Sequence, residues 1–288
     1  MKRVSRFLLC AAACVLFQIG TAPNASAVPL LTAGNFAVLG ASTVTNTGPT
    51  TLLGDLGLSP GTSITNDSTV TINGNPYADL LIVNTPPDVF IDTAGVAHQA
   101  QLDARAAYVF MTGLAAAGGP IADDLTSQTV GIGVYDLGAG LLTSGGVLTL
   151  NFGGAGDIVF RTASTLTFVS NSSVVLTNFN PLINNVYWRV GSAATIGTDV
   201  SSAGWIIADQ SVAMQTRATN GCGGVIGLVA AVTLDTNTIG TGCTTGSNGE
   251  VTPSPGGGGT PVPEPGTLAL LGTGIFGLVA RRRRSAKA

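Results

Sequence analysis

Between Val28 and Thr260 this 288-residue chain contains no lysine. Its only cations there are Arg105, Arg161, Arg189 and Arg217, against fourteen Asp and Glu. Phosphate binding needs clustered Lys and Arg, so electrostatic nucleic-acid binding is excluded. Histidine is almost absent: His98 stands alone. One imidazole cannot build a multi-histidine metal site, and a Ser-His-Asp arrangement would have to recruit it from a stretch that reads as helix. Cysteine is scarce too. Cys10 and Cys14 fall near the N-terminus, leaving Cys222 and Cys243 for the body. Two Cys without nearby His make no zinc site; in an oxidising compartment they are disulfide candidates closing a loop of about twenty residues. Asp55, Asp136 and Asp157 lack the spacing of a calcium loop and read as turn residues. Asp123 and Asp124 read as loop charge, although paired Asp leaves a polysaccharide-active solenoid enzyme as an alternative. Low charge does not imply disorder here, because 45% of residues are hydrophobic and β-branched residues are common.

The two ends read as sorting signals. Lys2, Arg3 and Arg6 precede an apolar run over 7–19, and Ala25-Ser26-Ala27 supplies small residues before Val28. This is the order of a secretory signal peptide, expected over 1–27 and removed after Ala27. At the other end, 246–261 is a linker rich in Gly, Pro and Ser. Val262-Pro263-Glu264-Pro265 follows, then an uncharged apolar segment over 266–280, then Arg281 to Arg284. An apolar segment closed by cations reads as a short C-terminal membrane segment with its Arg held inside. The stretch 262–288 resembles the PEP-CTERM sorting signal of Gram-negative bacteria. That resemblance implies an exosortase-type processing enzyme as partner, and delivery to the cell surface or extracellular matrix.

The body, 28–245, is dominated by two-residue alternation. Thr43-Val44-Thr45, Ser63-Ile64-Thr65, Val147-Leu148-Thr149-Leu150, Thr165-Leu166-Thr167-Phe168 and Val232-Thr233-Leu234 each set apolar residues against Thr or Ser. Such alternation predicts half-buried strands with an apolar inner face. Gly, Asn, Pro and Asp separate them as turn residues. Many short strands of this kind suit a sandwich, a barrel or a solenoid. One stretch differs: 94–117 is Ala-rich, and Leu102, Ala106, Val109, Phe110 and Leu114 recur at helical spacing. It predicts an amphipathic helix capped by Asp92 or Thr93 and ended by Gly118-Gly119-Pro120.

Several stretches resemble the microbial ice-binding protein family: 31–39, 42–50, 54–57, 59–61, 133–135, 185–191 and 231–235. The resemblance covers 28–243. It implies a mainly β fold, an irregular right-handed β-solenoid (β-helix) with one long α-helix packed alongside. It also implies an ice crystal surface as binding partner, with no cofactor and no catalytic residues. Two stretches depart from the family pattern. Residues 151–157 are glycine-heavy, and Gly223-Gly224-Val225-Ile226-Gly227 replaces a stretch tied to the family's late coils, where a weaker ice-binding face is therefore expected.

Ice offers no charge to grip. A surface binds it by ordering water, and Thr joins a methyl that cages water to a hydroxyl that bonds it. Stiff β-branched side chains on a strand lose little entropy in doing so. The candidate ice-binding residues are the outward members of the alternating strands: Thr43, Thr45, Ser63, Thr65, Thr149, Thr165, Thr167, Thr195, Ser211 and Thr233. Thr covers the solvent side of many strands, so a surface adhesin or matrix protein remains the alternative.

Overall fold

The computed structural model describes residues 28–65, 69–78 and 94–256. The expected signal peptide, the candidate helix caps Asp92 and Thr93, and the apolar segment 266–280 lie outside these residues. Among the described residues no helix is long and apolar enough to cross a membrane.

A 3-10 turn, Leu31–Asn35, leads into the first coil: β1 (Phe36–Gly40), β2 (Thr43–Thr47) and β3 (Thr50–Leu53). A second coil follows as β4 (Asp55–Leu58), β5 (Ser63–Thr65) and β6 (Val70–Ile72), and β7 (Pro76–Ala78) starts another. After the helix α1 (Val96–Gly113) comes β8 (Thr129–Gly131). Next are β9 (Gly133–Leu137), β10 (Gly140–Leu142) and β11 (Val147–Asn151), then β12 (Ile158–Thr162), β13 (Leu166–Phe168) and β14 (Ser173–Thr177). The coils continue with β15 (Val186–Val190), β16 (Ala194–Ile196), β17 (Ser201–Ala203), β18 (Trp205–Ala208), β19 (Val212–Met214) and β20 (Thr219–Gly221). The last coil is β21 (Val225–Gly227), β22 (Val232–Asp235) and β23 (Thr238–Gly240), and the hairpin β24 (Gly242–Thr245) and β25 (Val251–Ser254) closes the described chain.

Successive strands enter three parallel sheets in turn. Sheet A runs β7-β4-β1-β21-β18-β15-β12-β9, sheet B runs β10-β13-β16-β19-β22-β2-β5, and sheet C runs β6-β3-β23-β20-β17-β14-β11-β8. The solenoid is therefore discontinuous: the last coil, β21 to β23, stacks on the first, β1 to β3. The chain starts mid-stack, builds to one end, and resumes at the other. Helix α1 lies along sheet A between these two parts. Its 18 residues make about 27 Å at 1.5 Å per residue. Eight rungs of sheet A measure roughly 34 Å at about 4.8 Å per rung, so the helix matches most of the stack.

The interior is one apolar column with inward side chains from all three sheets. Tyr135, Phe160 and Trp188 share one register position on neighbouring strands of sheet A. They stack with ring centroids 5.6 and 4.2 Å apart. Buried Asn satisfy the backbone at the corners: Asn220 Nδ2 donates to the carbonyls of Gly204 and Gly223, and Asn237 Nδ2 to those of Gln215 and Ala218. Turning chain leaves carbonyls without strand partners, and a buried side-chain amide supplies the missing donors.

The helix buries a different stripe from the expected one. Leu102 and Val109 are 52% and 61% exposed, and Ala106 also faces outward. The packed side is Ala97, Ala100, Ala104, Ala107, Tyr108 and Met111, with Phe110 and Leu114 only partly buried. Sheet A explains the choice. Its outer face already presents Phe36, Leu39, Tyr187, Trp205 and Ile207, so small alanines let the helix axis come close. The N-cap is Gly95 in the left-handed conformation without a side-chain cap, and the helix stops at Gly113, before Gly118. Its C-terminal carbonyls are held by a side chain from the sheet. Arg161 Nη1 donates to the carbonyls of Met111, Thr112 and Leu114 at 2.7–3.1 Å while its Nε pairs with Asp136 at 2.8 Å.

Candidate ice-binding face

Each sheet buries one face in the column, and what covers the other face differs. Sheet A lies under α1. The hairpin β24–β25 lies over β14, β17, β20 and β23 of sheet C. The Cys222–Cys243 disulfide, Cα–Cα 4.7 Å, ties it down. Glycines let it lie flat: a Cβ on Gly221 would come within 2.6 Å of Val251, and one on Gly240 within 2.5 Å of the Ser254 carbonyl. No described element packs across the outer face of sheet B.

That face is two straight rows. The pairing register joins Leu141, Thr167, Thr195, Ala213, Thr233, Thr45 and Thr65 into one ladder. Two residues earlier along the chain, at or just before the start of each strand, Ala139, Thr165, Ala193, Ser211, Ala231, Thr43 and Ser63 form a second, since each immediately precedes a residue of the same register. Between the rows the side chains of Leu166, Ala194, Val212, Val232, Val44 and Ile64 point into the core and are buried. Parallel pairing holds the rungs about 4.8 Å apart and the rows about 6.6 Å apart. The result is a flat grid of small side chains, mostly Thr, Ser and Ala, with no ionisable group in either row.

Nine of the ten candidates fall on this grid: Thr43, Thr45, Ser63, Thr65, Thr165, Thr167, Thr195, Ser211 and Thr233. Thr149 does not. It sits on β11 of sheet C, paired with Thr129 and Val175. Ala139, Leu141, Ala193, Ala213 and Ala231 complete the rows; none carries the hydroxyl that marks the other nine positions. Their signal was positional: Ser211-Val212-Ala213 and Ala231-Val232-Thr233 keep the alternation of Thr43-Val44-Thr45.

The four body cations are all committed elsewhere. Arg105 pairs with Asp209 at 2.9 Å and Arg189 lies 4.2 Å over the Tyr108 ring, both at the helix–sheet A interface, where Arg161 also sits. Arg217 donates to Asp199 through Nε at 2.7 Å and Nη2 at 2.6 Å in the turns leaving sheet B, and those two hydrogen bonds hold the Asp199 carboxyl below its usual range. The carboxylates weighed for chemistry do structural work. Asp123 accepts the Gly138 N–H, Asp124 the Thr126 N–H and Asp55 the Asn75 N–H. His98 is exposed on the helix. The glycine-rich departure at 223–227 lies largely on β21 of sheet A, beneath the helix, so it does not touch the open face.

The chain is thus a three-sheeted discontinuous solenoid with a flanking helix and a Thr/Ser/Ala face that no described element covers. Residues 38–240 match the family model described as ice-binding-like, and residues 261–284 match the PEP-CTERM protein-sorting motif. The chain is 36% identical to an ice-binding protein of Nostoc sp. (strain HG1), over 100% of this chain and 99% of that one. Among solved structures, the ice-binding protein of the Antarctic ascomycete Antarctomyces psychrotrophicus superimposes with a TM-score of 0.62 at 34% identity, covering 73% of this chain and 96% of that one. The ice-binding protein 1 domain of Shewanella frigidimarina gives 0.60 at 26% identity, with coverages of 73% and 96%. The chain belongs to the ice-binding-like family and carries a PEP-CTERM sorting motif.

Proposed function

We propose that this protein adsorbs to ice through the outer face of sheet B and so inhibits ice growth or recrystallisation. One observation carries the reading: the sheet face that no described element covers is also the one built as two charge-free ladders, mostly of Thr, Ser and Ala. Each Thr holds its methyl and hydroxyl at a spacing fixed by backbone hydrogen bonds. Water settling between the ladders is caged by the methyls and anchored by the hydroxyls, which gives an ordered layer that a growing ice surface can incorporate. The strands and β-branched side chains are already rigid, so ordering costs little further entropy. Charged groups, whose tight hydration shells resist an ice-like arrangement, are held on the helix side and at the corners.

The protein works as a binder rather than an enzyme. Its carboxylates serve turns and ion pairs, and its relatives are named as ice-binding proteins. The sorting motif supports a role outside the cell, with an exosortase-type enzyme acting on the tail and the folded body delivered to the cell surface or matrix. The test is a single ice crystal grown in purified protein. Faceted crystals and a measurable thermal hysteresis are expected; round crystals and no hysteresis at high concentration refute the reading.

A further inference from the structure

The described structure is buried from its first residue. Val28 is 5% exposed, Leu30 7% and Ala33 0%, packed against the inner side of α1 and the outer face of sheet A. Val28 packs in one cluster with Val159 and Tyr187, and its backbone N–H lies near enough to the Asp157 carboxylate to favour the charged form. Asp157 stands just before β12, and its Oδ1 also accepts from the backbone N–H and Nδ2 of Asn185, both at 3.0 Å. None of the ion pairs among the described residues involves Asp157. It is a partly buried carboxylate held by neutral donors only. Burial raises its pKa while the Asn185 hydrogen bonds and the nearby Val28 N–H pull it down; the Tyr187 phenol is pushed up by its own burial and further by the Asp157 charge.

The sequence places Ala25-Ser26-Ala27, the small-residue cleavage pattern, directly before that nitrogen. We propose that removal of the leader converts the Val28 amide into an α-ammonium that forms a partly buried ion pair with Asp157 and locks the fold of the exported protein. Hydrolysis of the Ala27–Val28 peptide bond gives the oxygen of water to the Ala27 carbonyl carbon, which leaves as a carboxylate. The freed Val28 nitrogen takes up protons to become an ammonium. That nitrogen then brings three donors and a positive charge where, in the precursor, the same atom offers one neutral donor beside those of Asn185. Charge-assisted hydrogen bonds are shorter and roughly twice as strong as neutral ones. The fold therefore tightens only after export. This inference rests on the leader reading and is independent of ice binding.

The missing lysines make the test clean. Within 28–260 the Val28 amine is the sole primary amine, since Lys287 lies in the tail. The full chain, exported with its own leader from a Gram-negative host, is purified and its N-terminal peptide identified by mass spectrometry. Val28 is expected as the first residue. Native protein is then treated with an amine-acylating reagent, and modification is read on the Val28 peptide. Acylation at least about ten-fold slower than in the urea-unfolded chain is expected, with Asp157→Asn recovering most of the rate. A second variant inserts Ala-Gly after Ala27, so that the mature chain starts two residues early with Asp157 intact. Its Tm is expected to fall by roughly 5 °C, with no further fall when Asp157→Asn is added. A mature start elsewhere, native Val28 acylated as fast as the unfolded chain, or an insertion that leaves Tm unchanged overturns the proposal.

Discussion

Ala213 lies on β19, the fourth of seven strands in sheet B, at the centre of one ladder between Thr195 and Thr233. Replacing it with Tyr tests whether the open face acts as a flat unit. Seven rungs span about 29 Å. A Tyr at the middle rung stands several ångströms above Ala and Thr neighbours, so a flat ice plane meeting it is lifted from the rungs on both sides. A central obstruction costs more than a peripheral one because contacts near the middle of an interface carry most of the energy; thermal hysteresis is expected to fall by roughly five-fold or more. Stability should barely change. The Ala213 side chain points outward, and surface substitutions of this kind stay within about 0.5 kcal/mol, or 1–2 °C in Tm for a body of this size. The control is Thr51→Tyr on β3 of sheet C, outward at a comparable exposure. Hysteresis is measured by single-crystal osmometry at matched concentration and Tm by circular dichroism. Full activity in Ala213→Tyr, or equal loss in Thr51→Tyr, refutes the assignment of sheet B. Loss of activity together with a large fall in Tm would show that Ala213 is structural.

Five further outcomes are expected. Ala213→Thr extends the hydroxyl ladder from Thr167 to Thr65 without a gap and should raise hysteresis, read in the same assay. Reducing Cys222–Cys243 releases the hairpin from sheet C; closing a loop of about twenty residues contributes ~3 kcal/mol, so Tm should fall by several degrees while crystal faceting persists in the cold. Arg161→Met removes three bonds to the last carbonyls of α1 and leaves Asp136 unpaired; a loss of about 2–3 kcal/mol is expected, with faster hydrogen exchange concentrated at the C-terminal turn of the helix. Hysteresis should be flat between about pH 5 and 9, because neither ladder holds a group that titrates there. Stability behaves differently in acid: the Asp199 pKa is depressed in the fold by Arg217, so its stabilisation is present above the unfolded value of 3.8 and lost as pH falls through the lower folded one. A melt series on Asp199→Asn, which should lose that acid dependence, checks it.

Much of the fold was legible because strands with one wet face advertise themselves. Thr43-Val44-Thr45 and Thr165-Leu166-Thr167 carry their orientation in the alternation alone. Sheet A was harder to read. Phe36–Gly40 and Trp205–Ala208 are buried throughout, since the column takes one face and the helix the other, and a run apolar on both sides has no period to read. The helix stripe misled for a related reason. Hydrophobic spacing rewards large residues such as Leu102 and Val109, whereas a crowded aromatic sheet face accepts Ala100, Ala104 and Ala107. Thr149 shares the alternation but not the sheet, because alternation says which way a side chain points relative to its own strand, not which sheet the strand joins. Only the register, set by contacts such as Thr233 with Thr45 across nearly the whole chain, separates sheet B from sheet C.

That last pairing also accounts for the interrupted coil order. A parallel stack must end in two edges, and each edge strand offers unpaired N–H and C=O groups to another chain. By starting mid-stack, the chain stitches β1–β3 to β21–β23 in the interior, where they have partners on both sides. The ends of the solenoid are then β5–β7 and β8–β10, the two segments joined through α1. Both edges thus come from the stretches of chain that flank the helix in sequence. Sheet A takes the helix, sheet C takes the hairpin that carries the chain towards its linker and sorting tail, and no described element crosses the outer face of sheet B. An ice-binding surface needs just such a face, because any strap across it would hold the crystal off. The order of the coils and the bareness of sheet B are therefore consequences of one routing: connections are spent on two sides so that the third remains flat.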